Sequence, residues 1–591
     1  MFYIEKVSVR PKRIDPRRYY RHRGYILVAA VLLFLVTSGC APDEELSDEP
    51  EEPQDEENDT EEEEENAEGE KEEAEERPDS KDADNGSEGE EADSPSSYGV
   101  NAGHPAAVDA GMEVLENGGS AADAAIAAAY AVSVVEPFAS GIGGGGVTLI
   151  QEQGEEPEAY DYREVVPEGG VPASNIGVPG FVSGMTELHA DYGAAEWKAL
   201  LDPAIELAES SEVSDLLATQ LQSAQARLPV QQLDHFYPDG APLGAGETLE
   251  QAELAETLRE IRDNGGQAFY EGNFAEGLAS QVEGLDMESF SNFEVGQHEP
   301  VSGEFAGYEV IGAPPPLPGA SVIQMLQLIE ERGSAQAERN SIDWFHDIAM
   351  SWNLSRQFLE TDFGDPGFVD VPVENMTDAQ RNASLAEELS SDSLLSVDPG
   401  QPYGGFDPNT THITAVDAEG TVVSMTNTLT SFWGSGEYSE GFFFNDQMAR
   451  FSIGQGDNNE AEPGRRSITW SSPIMIADEE GPVMGIGSPG GERIPAMLTQ
   501  VVADWAQGTD LEKAVEANRF HIEDDALIME EQPPPEQREE LMAIGYSELR
   551  DPPTPLYFGS VQALAIDREQ DELLGATDHR REAEWQMETA E

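Results

Sequence analysis

The spacing of apolar residues changes several times along the chain, and each change predicts an element. Apolar residues crowd 25–36, a run of about a dozen, and are almost absent from 43–97. From residue 98 they return with a helical period. Val108, Met112 and Leu115 fall on one side of a helix over 104–117, stopped by Gly118-Gly119. Ser120, with Asp123 three residues on, caps an Ala-rich helix over Ala121–Val135 that must pack closely. Glycine then dominates 140–150, where backbones approach one another, and 159–164 reads as a strand with Arg163 near its edge. Between 190 and 400 the pattern is a run of amphipathic helical segments. Examples are 203–210 with Asp202 as N-cap, 249–262 and 322–331, with a proline-rich interruption at 313–318. Such helices are expected as outer layers over a sandwich. Beyond 407 the period shortens to two. Residues 412–416 alternate, Ala418-Glu-Gly420 turns, and 421–428 alternate again, which reads as a hairpin. Further strands are expected at 442–448, 467–476 and 482–486, a turn at Ser488-Pro-Gly-Gly491, and helices at 499–507 and 511–518.

Charge divides the first hundred residues from the rest. Arg10, Lys12, Arg13, Arg17, Arg18, Arg21 and Arg23 precede the apolar run, and Thr37-Ser-Gly-Cys40 follows it. That order is a secretory signal, and the run is short for a membrane span of about twenty residues. The single cysteine, Cys40, sits where the stretch resembles a lipobox. Lipidation there would leave an exported protein anchored on the outer face of the cytoplasmic membrane. The segment 43–97, nearly all Glu, Asp, Ser, Pro, Gly and Asn, cannot offset its ordering entropy and is expected to be a self-repelling tether.

The whole chain of 591 residues has 31 Lys and Arg against 119 Asp and Glu, a formal net charge of −88. Nucleic acid is excluded as a partner, because phosphate binding needs basic patches. Acidity outside the tether, with lysine scarce, fits life in high salt, where screening tolerates dense surface charge. One cysteine allows no internal disulfide and no thiol–metal cluster. The nine histidines are scattered, and no metal or cofactor is expected.

Candidate chemistry starts at Asp407-Pro-Asn409, turn formers that place Thr410 and Thr411 at the entrance of the hairpin. A threonine hydroxyl there is a poor nucleophile while its own nitrogen is locked in a peptide. A cut before Thr410 would free the amine as a base beside the hydroxyl. The glycine run at 141–146 has neither the Lys-Ser/Thr of a phosphate loop nor the order of a dinucleotide site. The amides of Ser488-Pro-Gly-Gly491 suit an anion.

Taken in order, Ala121-Ala-Asp-Ala-Ala125, Gly141-Ile-Gly-Gly-Gly-Gly146, Asp161-Tyr-Arg-Glu164 and Gly177-Val-Pro-Gly180 resemble the large subunit of γ-glutamyltranspeptidases. Thr410-Thr-His412, Thr428, Asn445-Asp-Gln447, Ser488-Pro-Gly-Gly491 with Arg493, and Arg519-Phe-His521 resemble the small subunit. The resemblance implies an α+β fold of the N-terminal nucleophile hydrolase type, a four-layer αββα sandwich split by self-cleavage. The cut would fall between Asn409 and Thr410. It would divide a large subunit (98–409), preceded by the signal (1–40) and tether (41–97), from a small one (410–591), the two subunits remaining as a heterodimer. Thr410 would be the nucleophile, Thr428 its hydrogen-bond partner, Gly490 and Gly491 the oxyanion donors, and Arg163 the group for the glutamyl α-carboxylate. Gln447 and Arg493 fall in motifs of the same substrate pocket.

The departures bear on substrate. Arg450 stands where the family usually has an aspartate for the substrate's α-ammonium. Thr469 and Trp470 replace two serines, and Thr430 replaces an asparagine. An arginine repels an ammonium, so poly-γ-glutamate, whose interior α-nitrogens are amides, is the expected substrate, with water or an amine as acceptor. Arg163, Arg450, Arg493, Arg580 and Arg581 would suit such a polyanion. In character this is similar to the capsule poly-γ-glutamate depolymerase/transpeptidase branch. The alternatives are ordinary γ-glutamyl transfer from glutathione or glutamine, a glutaryl-type acylase, and an inactive surface binding protein.

Overall fold

The computed structural model describes residues 97–395, 408–452 and 456–590. The signal, Cys40, residues 41–96 of the tether, and Asp407 lie outside these. Ser97, assigned by sequence to the tether, is buried and begins the first strand, Ser97–Ala102.

A seven-stranded sheet runs, neighbour to neighbour, Glu584–Thr589, Ser97–Ala102, Pro408–Val416, Val422–Ser431, Gly145–Gln151, Glu158–Asp161 and Gly296–His298. A six-stranded sheet runs Glu572–Ala576, Gln562–Asp567, Gly481–Gly487, Ile474–Asp478, Tyr308–Gly312 and Val301–Phe305. Every neighbouring pair in both is antiparallel. The predicted hairpin forms as the two central strands of the first sheet.

Its alternation, however, does not separate inside from outside. Val422–Ser431 is buried along its whole length, because both faces of the sheet are covered. Ile413, Ala415, Val423 and Met425 pack with the helices Pro105–Glu116, Ala121–Val135, Phe181–Tyr192, Trp197–Glu209 and Ala252–Asn264. Val147, Leu149, Val416 and Val422 meet Ile311, Met475 and Leu564 of the second sheet. The polar residues on that same side bond across or along the sheets. Ser424 Oγ donates to Ile486 O at 3.2 Å, and His412 Nδ1 lies 2.8 Å from Thr426 Oγ1. Gly487 is required there: a Cβ would fall 2.2 Å from His412 Nδ1. The other side of the second sheet is packed by Gly319–Glu331, Ile342–Thr361 and Ile494–Ala506.

The Ala-rich helix Ala121–Val135 is buried at all fifteen positions and begins with the expected capping box of Ser120 and Asp123. Asp417 ties this helix to the hairpin turn: its Oδ2 accepts from Ala121 N at 2.9 Å and its Oδ1 from Thr421 N at 2.8 Å.

Three expectations are corrected. The helix placed at 203–210 is Trp197–Glu209, with Asp202 inside it and not at its N-cap. Pro203 forfeits one amide bond, but Leu200, Leu201, Ala204, Ile205 and Ala208 form one continuous buried stripe that holds the helix together. The strand at 442–448 is only Phe442–Phe443. Beyond it Asn445 accepts from Gly177 N and donates to Gly143 O, both at 2.9 Å, and Asp446 accepts from Ser431 N at 3.0 Å. Side chains replace the ladder there. The strand at 467–476 pairs only from Ile474 onward.

Candidate active site

Thr410 is the third residue of Pro408–Val416 and is 5% exposed. Opposite it the partner strand carries an extra residue. Pairing runs Asn427↔Thr411 and then jumps to Thr430↔Asn409, a bulge of the kind that re-aims a side chain. Thr430 takes the strained left-handed conformation that closes it, with φ 81°. The bulge turns Thr428 onto the junction. Thr428 Oγ1 donates to the Asn409 carbonyl at 2.6 Å, and it receives Thr430 N at 2.8 Å and the Thr410 hydroxyl at 3.3 Å.

Gly490 and Gly491 follow Gly481–Gly487 with φ 145° and 63°, a path that L side chains rarely follow. They lead the chain into the N-terminus of Ile494–Ala506, whose dipole favours negative charge. A small cavity at the junction is lined by Thr410, Thr428, Thr430, Arg450, Thr469, Trp470, Ser471, Gly491 and Ile494. Arg450 and Trp470 also line a cleft of about 1020 Å³ together with Arg227, Trp433, Glu492, Arg493 and Tyr557.

Seven of the residues singled out in the sequence thus share the cavity wall, and Gly490 adjoins it. Three stand elsewhere. Gln447 lies behind Thr430, whose hydroxyl donates to its Oε1, and its Nε2 donates to Ser467 Oγ at 3.0 Å. Arg163 is fully buried behind that: Nε donates to Asp161 Oδ1 and Nη1 to Ser467 O, each at 2.9 Å. Arg493 belongs to the large cleft, 4.3 Å over the Tyr557 ring, and donates to Tyr557 O at 2.7 Å.

The group of five arginines facing a polymer is corrected accordingly. Arg163 is paired with Asp161, and Arg580 with Asp578 and Glu530. Arg581 sits half-buried at the junction itself. Its Nη1 donates to Thr410 O at 3.1 Å and its Nη2 to Asn409 Oδ1. Only Arg450 and Arg493 of the five line the cleft.

Buried carboxyls surround the site. Burial pushes Glu136 up to about 7, against the opposing pull of Arg581 and a hydrogen bond from Thr411 Oγ1 at 3.1 Å. Burial pushes Glu164 up to about 8. Burial also raises Glu492, although Arg356, Arg493 and Arg450 face it. Asp161 stays below its usual range, because Arg163 and Arg466 together outweigh its burial. Sequence reasoning missed Glu136 altogether. The available signal was a lone acid between Val134-Val135 and Pro137-Phe138, in a stretch otherwise built to be buried.

The chemistry these atoms allow is an intramolecular one. Attack of Thr410 Oγ on the Asn409 carbonyl carbon closes a five-membered ring through the residue's own Cβ, Cα and N. Thr428 already donates to the oxygen on which negative charge would develop.

A profile of the family described as Gamma-glutamyltranspeptidase matches residues 107–587. The chain is 38% identical to the capsule biosynthesis protein CapD proenzyme of Bacillus anthracis, over 83% of this chain and 90% of that one. It is 29% identical to the glutathione hydrolase proenzyme of Bacillus subtilis (strain 168), over 81% and 89%. The fold is shared with a cephalosporin acylase from Bacillus halodurans, with a TM-score of 0.75 at 23% identity, covering 86% of this chain and 98% of that one.

Proposed function

This chain belongs to the γ-glutamyltranspeptidase family of enzymes, and from that premise we propose that it is a self-processing γ-glutamyl hydrolase/transpeptidase acting on poly-γ-glutamate. In processing, the Thr410 hydroxyl adds to the Asn409 carbonyl, its proton passes to the amide nitrogen, and the C–N bond breaks to leave an ester. That step frees the Thr410 amine, and water then hydrolyses the ester, releasing the Asn409 carboxylate and restoring the Thr410 hydroxyl. The fragments 98–409 and 410–591 remain together, because each contributes strands to both sheets. Thr410 Oγ next attacks a γ-glutamyl amide with its own amine as base. The Gly490 and Gly491 amides hold the oxyanion, and the acyl group passes to water or an amine. Reading the fold as four layers, αββα, is supported by the apolar cluster common to the two sheets and the helical cluster on the far side of each.

The observation that carries the substrate is the position of Arg450. It lines the Thr410 cavity and the large cleft alike. A buried guanidinium beside the nucleophile repels the free α-ammonium of glutathione and tolerates an amide nitrogen flanked by carboxylates. Tested on one preparation, poly-γ-glutamate should turn over faster than a γ-glutamyl anilide with a free amine. Preference for the anilide would support ordinary γ-glutamyl transfer, and preference for a glutaryl amide an acylase. A chain that stays unsplit and inert would be a binding protein.

The proposed location is the outer face of the cytoplasmic membrane, through a lipid on Cys40. Cys40→Ser should release the protein from the membrane fraction, and retention would refute the anchor. The acidic surface supports a high-salt habitat, and full activity after dilution into low salt would count against it.

A further inference from the structure

We infer that Arg581 and Glu136 are positioning residues for the Asn409–Thr410 junction, Arg581 gripping the residues on both sides of the bond to be cut and Glu136 fastening Thr411, the residue after them. The inference rests on the self-cleavage reading. Three consecutive residues are held by two side chains. Arg581 donates to the Asn409 side-chain oxygen and, at 3.1 Å, to the Thr410 carbonyl, while Glu136 Oε2 accepts from Thr411 Oγ1 at 3.1 Å. The opposite side of Asn409 is fastened as well, its Nδ2 donating to Phe138 O at 3.3 Å.

Neither charge reaches the reacting atoms. What they fix is the twist of the peptide between Asn409 and Thr410. Closing the five-membered ring needs the Asn409 carbonyl carbon presented to Thr410 Oγ while its oxygen stays on Thr428, and a misplacement of about 1 Å in such geometry costs about a hundredfold in rate. Arg581 comes from the segment before the edge strand Glu584–Thr589, and Glu136 ends the Ala-rich helix. The pair therefore joins the last part of the chain to the first part of the fold across the cut.

The pair is tuned by its surroundings. Glu136 is 1% exposed, and its Oε1 has no hydrogen-bond partner among the described residues. The groups that bear on its charge are Arg581, the Thr411 hydroxyl and, in opposition, Glu582. Arg581 is in turn influenced by Glu136 and Asp578. His104, another titratable group near Glu582, is pushed down by burial. Burial brings the ionisation of Glu136 to about 7. As the pH rises through that value the carboxylate forms, it becomes a stronger acceptor for the Thr411 hydroxyl, and the hold on the junction tightens. Splitting should therefore accelerate across neutrality.

The test follows splitting of freshly purified, full-length intact chain on denaturing gels between pH 5.5 and 9. The wild type should show a rise centred near 7. Glu136→Gln should flatten that rise, Arg581→Gln should slow splitting about a hundredfold at every pH, and Arg581→Lys should recover part of the rate and keep the rise. If Glu136→Gln is insoluble, Glu136→Asp, with its charge one methylene back, should move the midpoint. An unchanged pH profile in the Glu136 variants, with the wild type splitting normally, overturns the inference and leaves self-cleavage standing. A wild type that never splits removes the underlying reading instead.

Discussion

On one side of the Thr410 cavity, Asn409, Thr410, Thr428 and Thr430 belong to two neighbouring strands at the centre of a seven-stranded sheet, and the only irregularity is a bulge that serves the site. On the other side, Arg450 rides on the 3₁₀ turn Gln447–Ser452, and Thr469, Trp470 and Ser471 lie in a segment that joins a sheet only at Ile474. The first wall is positioned by backbone ladders and the second by individual side-chain contacts, such as Asn459 Nδ2 donating to Arg450 O at 2.8 Å and the edge contact of Trp352 on Trp470 at 5.9 Å. A wall made of ladders can hardly change without unmaking the sheet, whereas one made of loops can exchange residues singly. That difference would let the motifs of one reaction persist while the residues that recognise substrate change.

The sharpest way to break the comparison is to attack the hairpin wall. Thr410→Ala removes the hydroxyl, so the chain should stay a single band and show no turnover; a second band or residual activity would place the nucleophile elsewhere. Thr428→Val keeps the shape and removes the donor to the Asn409 carbonyl. Splitting followed on gels should slow by about a hundredfold to a thousandfold, the usual consequence of losing one oxyanion donor. An unaffected rate would mean that the 2.6 Å contact belongs only to the resting precursor.

The two walls were also unequally legible in the sequence. The hairpin could be read because its alternation, its Gly420 turn and the threonines at its head are local features. Its bulge could not, since Thr428 and Thr430 look like ordinary strand residues until the pairing with Thr411 and Asn409 is known. On the recognition side, the buried strand expected from Phe442-Phe-Phe444 stops after two residues. Asn445 and Asp446 take backbone partners as distant as Gly143 and Gly177, and a local pattern cannot report partners some 270 to 300 positions away. The same limit applies to Arg163, Arg580 and Arg581. Composition marked them as rare cations in an acidic chain, but only the fold reveals which carboxylate or carbonyl each one meets.

Beneath the recognition wall, Glu164 offers a test through stability. Its carboxyl is buried, and that burial holds it up at about 8, well above the usual carboxylate range. The folded state thus keeps a proton that the unfolded chain has lost. The resulting stability is fully present below 4.5 and declines as the pH rises to about 8. Across that window Glu164→Gln should flatten the decline by an amount on the order of a few kcal/mol. The measurement is urea unfolding of wild type and variant at pH 5 and pH 8. Parallel losses in the two proteins would mean that Glu164 is ionised in the fold, paired with one of the neighbouring arginines.

Arg450→Asp reverses, on the recognition wall alone, the charge beside the nucleophile cavity. If the hairpin wall owns the reaction and the other wall the substrate, the variant should still split at the wild-type rate, because Thr428, Phe138 and Arg581 hold the junction. Its selectivity should move toward γ-glutamyl donors with a free α-ammonium. Exchange of a repelling for an attracting charge in a partly desolvated pocket should change the ratio of kcat/KM for anilide over poly-γ-glutamate by at least about tenfold. The shift is limited by Glu492 and Asp446, whose carboxyls already bear on Arg450 and remain in the variant. Were splitting and selectivity to fall together, Arg450 would be holding the cavity open and not choosing what enters it. The separation between a conserved reaction and an exchangeable recognition surface would then fail at the residue on which it most depends.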